Sequence, residues 1–294
     1  MLLHALMVAL ATTAAPDVPD TGPHPLERVA VIGASVTWGY GTNMPFRTPR
    51  YTHRELVTFP DVLEATLVDD YELAHHESDI FFFQRPMRTG PALVSSATIV
   101  EPTALIAVDF LFWFGYGEYD MEGRLHADGD SRLAMLEQGL ELLSTFECPI
   151  IVSDFPNMRP AIGRILKPTH VPTPETLDAL NTRLHQWADE REHVHIIPLA
   201  DLVSRIQQGS GFDVEELNYT DADASTMLQP DALHPTVDGD IVIAQLVLRA
   251  LDAASDHIDV DDYTRDPDVV RQRLIKLLQK RLDPALQAQP VPTD

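Results

Sequence analysis

Five apolar runs of strand length, at 28–32, 71–75, 104–110, 149–153 and 194–198, are separated by stretches whose apolar residues recur at helical spacing. In 131–146, Leu133, Leu136, Leu140 and Leu143 fall three and four residues apart and make one apolar helix face. Similar amphipathic stretches occupy 61–68, 174–190, 199–207 and 237–254. Strands that alternate with helices pair in parallel and are covered on both faces, because each connection must cross back over the sheet. The chain is therefore expected to form an α/β domain over residues 26–254. In sheets of this kind ligands bind beyond the carboxyl ends of the strands.

The flanks differ in character. Residues 1–15 are apolar and end in Ala11-Thr12-Thr13-Ala14-Ala15, the pattern of a short secretory signal, though without a basic residue near the start. That reading places the protein outside the cytoplasm, secreted or periplasmic; a frayed cytoplasmic tail is the alternative. The run is too short for an ordinary membrane span, and no later stretch is a better candidate. Residues 16–25, rich in Pro, Asp and Gly, read as a linker. Beyond residue 254, Asp266 and Pro267 signal the start of a helix to about Leu282. Its apolar Val270, Leu274, Leu277 and Leu278 sit among basic residues, so it is expected to dock on an otherwise acidic domain rather than on a membrane. Disorder is expected from Pro284.

The formal charge is −24, from 45 acidic and 21 basic residues. A field of that sign repels phosphate backbones and excludes nucleic acid as a natural partner. Cys148 is the only cysteine, which rules out an intrachain disulfide and a cysteine zinc site; beside an apolar run it is expected to be buried. His75-His76 and His193/His195 lack a completing carboxylate cluster. Asp128-Gly129-Asp130 lacks the remaining ligands of a calcium loop. No metal or other cofactor is expected.

Two short blocks carry the chemistry. The run Val29-Ala30-Val31-Ile32 stops at Gly33-Ala34-Ser35-Val36-Thr37, whose small residues permit a sharp turn that exposes the Ser35 hydroxyl. The Ser35 amide would then face an oxyanion. Near the other end, Asp231-Ala232-Leu233-His234-Pro235 sets a histidine just before a helix with a carboxylate three residues away. A serine hydroxyl needs an adjacent base to act as nucleophile, and that base needs an orienting group. Ser35, His234 and Asp231 are one of each.

On these two blocks the chain resembles the SGNH/GDSL-type serine hydrolases, over roughly 27–254. The family's Gly-Asp-Ser-x-Ser/Thr corresponds to Gly33 to Thr37, with Ala34 in place of Asp. Its Asp-x-x-His-Pro corresponds to Asp231 to Pro235. The resemblance implies a three-layer α/β/α, flavodoxin-like fold with a mostly parallel five-stranded sheet. It further implies metal-independent hydrolysis of a small-molecule, carbohydrate or lipid ester through an acyl-serine.

The family also uses a glycine amide and an asparagine side chain as oxyanion donors, and here the match is partial. Gly90 is a candidate for the glycine. The asparagine block corresponds to the region from Asp109 to Glu118, where one register offers Gly115 and Gly117 and the other ends a strand near Asp109. Neither contains an asparagine. Asn157, after the next strand, is a possible substitute. Loss of one such donor lowers turnover about 100- to 1000-fold, so a weakly active or non-catalytic binding protein on the same scaffold is the alternative function. A nucleotide-binding module is disfavoured, because no glycine-rich phosphate loop is present. Asp109, in an apolar run, must be hydrogen-bonded to be buried; it either braces the Ser35 turn or satisfies loop amides. Phe110, Phe112, Trp113 and Phe114 either floor an acyl pocket or belong to the core.

Overall fold

The computed structural model describes residues 24–47, 52–68, 73–126, 129–255, 258 and 262–287. The signal-like leader, most of the linker, and Asp128 of the calcium-like triplet lie outside these residues. In chain order the elements begin with β1 (Val29–Gly33), α1 (Ser35–Trp38), the strands β2 (Asn43–Arg47) and β3 (Thr52–Leu56), and α2 (Phe59–Thr66). There follow β4 (Leu73–Ser78), α3 (Pro86–Thr98), β5 (Ala104–Ile106), α4 (Phe112–Tyr116), α5 (Gly129–Leu143) and β6 (Ile150–Ser153). The remainder is α6 (Pro174–Asp189), β7 (Val194–Ile197), α7 (Leu199–Gln208), β8 (Phe212–Val214), β9 (Leu217–Tyr219), α8 (Asp221–Ala224), α9 (Val237–Ala254) and α10 (Pro267–Gln287).

β4, β1, β5, β6 and β7 lie side by side in that order, all parallel. Numbered within the sheet, this is the flavodoxin-like order 2-1-3-4-5, whose direction of winding reverses between the first and third strands. β1 is buried on both faces along its whole length, as a central parallel strand must be. Its side chains alternate: Val29 and Val31 enter a core shared with α2, α9 and α10, while Ala30 and Ile32 enter another shared with α3, α5 and α6. The chain is thus a three-layer α/β/α sandwich.

Local chemistry sets the helix starts. Thr58 and Asp61 form a reciprocal capping box at α2, and Thr173 and Thr236 cap α6 and α9. α10 docks on its own domain: Val270, Leu274 and Leu278 are fully buried in the α2/α9 core, and Arg281 and Arg271 pair with Asp61 and Asp238. The helix passes Pro284 and reaches Gln287.

The 104–110 strand and the buried Cys148 need correction, and several elements were not expected. The run 104–110 is a strand only to Ile106, because the Phe110 amide turns back to the Ala107 carbonyl and the chain leaves the sheet. α3 was not anticipated, since Gly90 and Pro91 interrupt its pattern. Two hairpins, β2–β3 and β8–β9, lie outside the main sheet and were not anticipated either. Cys148 is only partly buried; burial still pushes its thiol up to about 11, so it stays protonated at neutral pH.

Candidate active site

β1 and β5 are neighbours where the sheet reverses its winding, and the residues that follow them meet in the crevice beyond their carboxyl ends. Ser35 opens α1 directly after β1. The turn that presents it is held from β5. Asp109 accepts hydrogen bonds from the amides of Ala34 (2.9 Å), Val36 (2.7 Å) and Thr37 (3.3 Å), and from the Thr37 hydroxyl (2.6 Å). The position before the serine is Ala34, so the carboxylate that serves this turn comes from the turn after β5, 75 residues away. Gly33 makes the approach possible, because a Cβ there would lie 2.1 Å from the Asp109 Oδ1. Of the four amides from Ala34 to Thr37, that of Ser35 has no internal acceptor among the described residues.

His234 reaches the same point from the other end of the chain. Its Nε2 is 2.9 Å from the Ser35 Oγ, and its Nδ1 is 2.8 Å from the Asp231 Oδ2. The other Asp231 oxygen accepts the amides of Leu233 (2.9 Å) and His234 (3.0 Å). To close so tight a turn Ala232 takes a left-handed φ of 60°, a conformation that costs a non-glycine residue roughly 1–2 kcal/mol. Burial alone would raise the Asp231 carboxyl, but the bonds from the His234 ring and the two amides outweigh it and hold the group below its ordinary value. An ionised Asp231 fixes the proton of His234 on Nδ1, which leaves Nε2 as the acceptor facing the serine.

Two neighbours escaped the sequence reading. The Tyr40 ring lies 4.5 Å from the His234 ring, tilted by 34°. Gln229 donates to the Tyr40 carbonyl at 2.7 Å and to the Pro235 carbonyl at 2.8 Å, tying the two blocks together. Asp240, on the first turn of α9, is fully buried, and neither of its oxygens has a hydrogen-bond partner. Burial, reinforced by the nearby charge of Asp109, raises its carboxyl well above its usual range. An aspartate in the first turn of a helix is ordinary in sequence, so its burial gives no signal of its own.

The remaining oxyanion candidates go elsewhere. Gly90 sits within α3, where a Cβ would meet the Phe114 ring at 2.8 Å. Gly115 packs on Phe155, and the carbonyls of Gly115 and Gly117 accept from the Arg132 guanidinium at 2.8 and 2.9 Å. Arg132 is enclosed among backbone carbonyls, and burial pushes it down to about 10. Asn157 is exposed and bonds its own loop through the Arg159 amide. None of these four residues lines the cavity beside Ser35. The aromatic run divides: Phe112 and Trp113 line that cavity, whereas Phe110 and Phe114 pack on Phe82 in the core. Among the described residues, no group of His, Cys, Asp or Glu is arranged to hold a metal ion, and no helix is long and apolar enough to cross a membrane.

No protein-family model matches the chain, and no curated protein matches it. Among solved structures, an acetylxylan esterase from Geobacillus stearothermophilus is 16% identical with a TM-score of 0.44, over 76% of this chain and 93% of that one. A GDSL-like lipase from Bacteroides thetaiotaomicron is 14% identical with a TM-score of 0.42, over 78% and 89%. A gut microbial diltiazem-metabolizing enzyme is 16% identical with a TM-score of 0.45 over 76% of this chain, which spans only 46% of that protein.

Proposed function

We propose that the protein is a metal-independent serine hydrolase of carboxylic esters. One observation carries this reading: an unbroken hydrogen-bonded line runs from the Asp231 carboxylate through both nitrogens of His234 to the Ser35 hydroxyl. In the reaction Ser35 Oγ attacks the ester carbonyl carbon as its proton passes to His234 Nε2. Asp231 stabilises the imidazolium so formed. The carbonyl oxygen becomes an oxyanion, for which the uncommitted Ser35 amide is a donor. Collapse breaks the bond from carbon to the leaving alkoxide, which takes the proton from His234 and departs as an alcohol. Water, deprotonated by the same imidazole, then cleaves the acyl-serine to a carboxylic acid and restores Ser35.

Ser35→Ala is expected to abolish hydrolysis of 4-nitrophenyl esters while the circular dichroism spectrum stays that of the parent. Undiminished turnover would exclude Ser35 as the nucleophile. The second reading, a binding protein on the same scaffold, is favoured because no asparagine lines the cavity beside Ser35 among the described residues. A fluorophosphonate separates the two. Stoichiometric labelling at Ser35 supports the hydrolase, and no labelling of the folded protein supports the binder.

A further inference from the structure

Beside Ser35 the chain lines a cavity of about 50 Å³. Val36, Phe112, Trp113, Val203, Ile206 and Ile243 supply much of its wall. Apart from the Trp113 indole, its polar side chains are Ser35, Asp109 and Ser153. Asp109 is already committed to the four donors of the nucleophile turn. Ser153 donates to the Val108 carbonyl at 2.8 Å. Asp109 has no acceptor site left and Ser153 no donor, so the cavity is poor in polar partners and suits hydrocarbon.

The position of His234 decides which half of an ester enters it. Leu233 and Pro235 line the cavity, but His234 between them and Tyr40 do not. The ring of Tyr40, 39% exposed, lies over the imidazole. The leaving alcohol must depart past the group that protonates it, and so leaves beneath Tyr40. The acyl chain is then directed into the cavity. Size sets the length. An apolar cavity of about 150 Å³ accommodates the six carbons of a benzene ring, so a third of that volume takes about two carbon groups beyond the carbonyl carbon.

Resting on the hydrolase reading, we infer that Ser35 accepts acyl groups of about three to four carbons in preference to acetyl or long fatty acyl groups. The transfer is the one given above, the acyl carbon passing from the alkoxide oxygen to Ser35 Oγ. The test is kcat/KM across 4-nitrophenyl esters of two to twelve carbons. Each methylene seated in the cavity is expected to raise it about fourfold, or about 15-fold from acetyl to butanoyl, with a decline beyond about four carbons. Ile206→Trp should fill the cavity and cut the butanoyl-to-acetyl ratio at least about tenfold. Ile206→Ala, which removes bulk and is the gentler change, should move the maximum to longer chains. Turnover that needs Ser35 but is flat with chain length, or greatest with acetyl, overturns the acyl assignment and leaves the hydrolase standing. A maximum that neither variant moves overturns it equally. No Ser35-dependent turnover at any length overturns the hydrolase, and the acyl assignment with it.

Discussion

The nucleophile turn and the histidine turn are both held by an aspartate that accepts backbone amides, yet they are built in opposite ways. Asp231 serves its own turn: the amides it accepts and the ring it orients lie two and three residues on. Asp109 serves a turn more than 70 residues away and reaches it only because β5 pairs with β1. One turn carries its geometry in a five-residue string. The other borrows it from the sheet. The two aspartates should therefore separate chemistry from folding when they are changed.

The largest expected effect is on rate. Asp231→Asn keeps the shape of the histidine turn but no longer fixes the Nδ1 proton. Loss of the correct tautomer in such an arrangement costs about 10⁴-fold in kcat. The melting temperature should move little, since the turn is local and partly exposed. Steady-state kinetics beside a thermal melt read both quantities. A variant that keeps a tenth of the parent's rate would show that His234 is oriented without Asp231.

Asp109→Ala should harm both properties. It strips the acceptor from three amides and a hydroxyl, most of them buried, and leaving buried donors unpaired costs about 1–3 kcal/mol each, not additively. A loss of at least about 3 kcal/mol in denaturant unfolding is expected, with a rate decrease of about 100-fold or more in the fraction that stays folded. Should stability hold while the rate falls, Asp109 would act in the chemistry and not through the turn.

This asymmetry explains what could be read from the chain. Asp231, His234 and Ser35 lie in compact strings whose spacing carries their geometry, and β1 and β6 are apolar runs that a buried parallel strand requires. The need of Asp109 for donors was legible from its apolar neighbours, and the Ser35 turn was one of the two donor sets the sequence offered; the choice between them rests on strand order, a tertiary property. Tyr40 and Gln229 follow the same rule, being ordinary residues until the two ends of the chain meet. The β8–β9 hairpin was hidden for a different reason. Its two-residue connection is Glu215-Glu216, with Glu215 at φ 53°, where Asn or Gly would have announced the turn. The glycines at 90, 115 and 117 resembled oxyanion donors because a glycine demanded by a neighbouring ring, as at 90 and 115, or by a neighbouring carbonyl, as at 117, looks in sequence like one demanded by a ligand.

A third aspartate sharpens the contrast between the turns. Asp240 has no hydrogen-bond donor and is held protonated by burial and by the charge of Asp109. Unfolded, it ionises near its ordinary value of 3.8. Above that pH, up to the raised value in the folded protein, the unfolded state binds fewer protons than the native one. Stability contributed by this site therefore falls as pH rises, by about 1.4 kcal/mol per pH unit. Asp240→Asn cannot ionise and should lose that slope, whatever its absolute stability. Urea unfolding of both proteins from pH 4 to pH 8 measures it, and parallel profiles would mean that Asp240 ionises freely in the fold.

The smallest effect is expected where the two turns touch. Tyr40 comes from the nucleophile side and covers the ring of the histidine side, and a ring pair of this kind contributes about 0.5–1.5 kcal/mol beyond its area. Tyr40→Leu keeps most of the apolar cover and removes the ring contact. If the contact holds the imidazole in line with the Ser35 Oγ, kcat/KM should fall about three- to tenfold. The loss should be independent of acyl chain length, since Tyr40 lies outside the cavity that Ile206 lines. A loss confined to one chain length would place the Tyr40 ring against the acyl group instead. No loss at all would mean that the histidine turn, with its own aspartate, needs nothing from the other side.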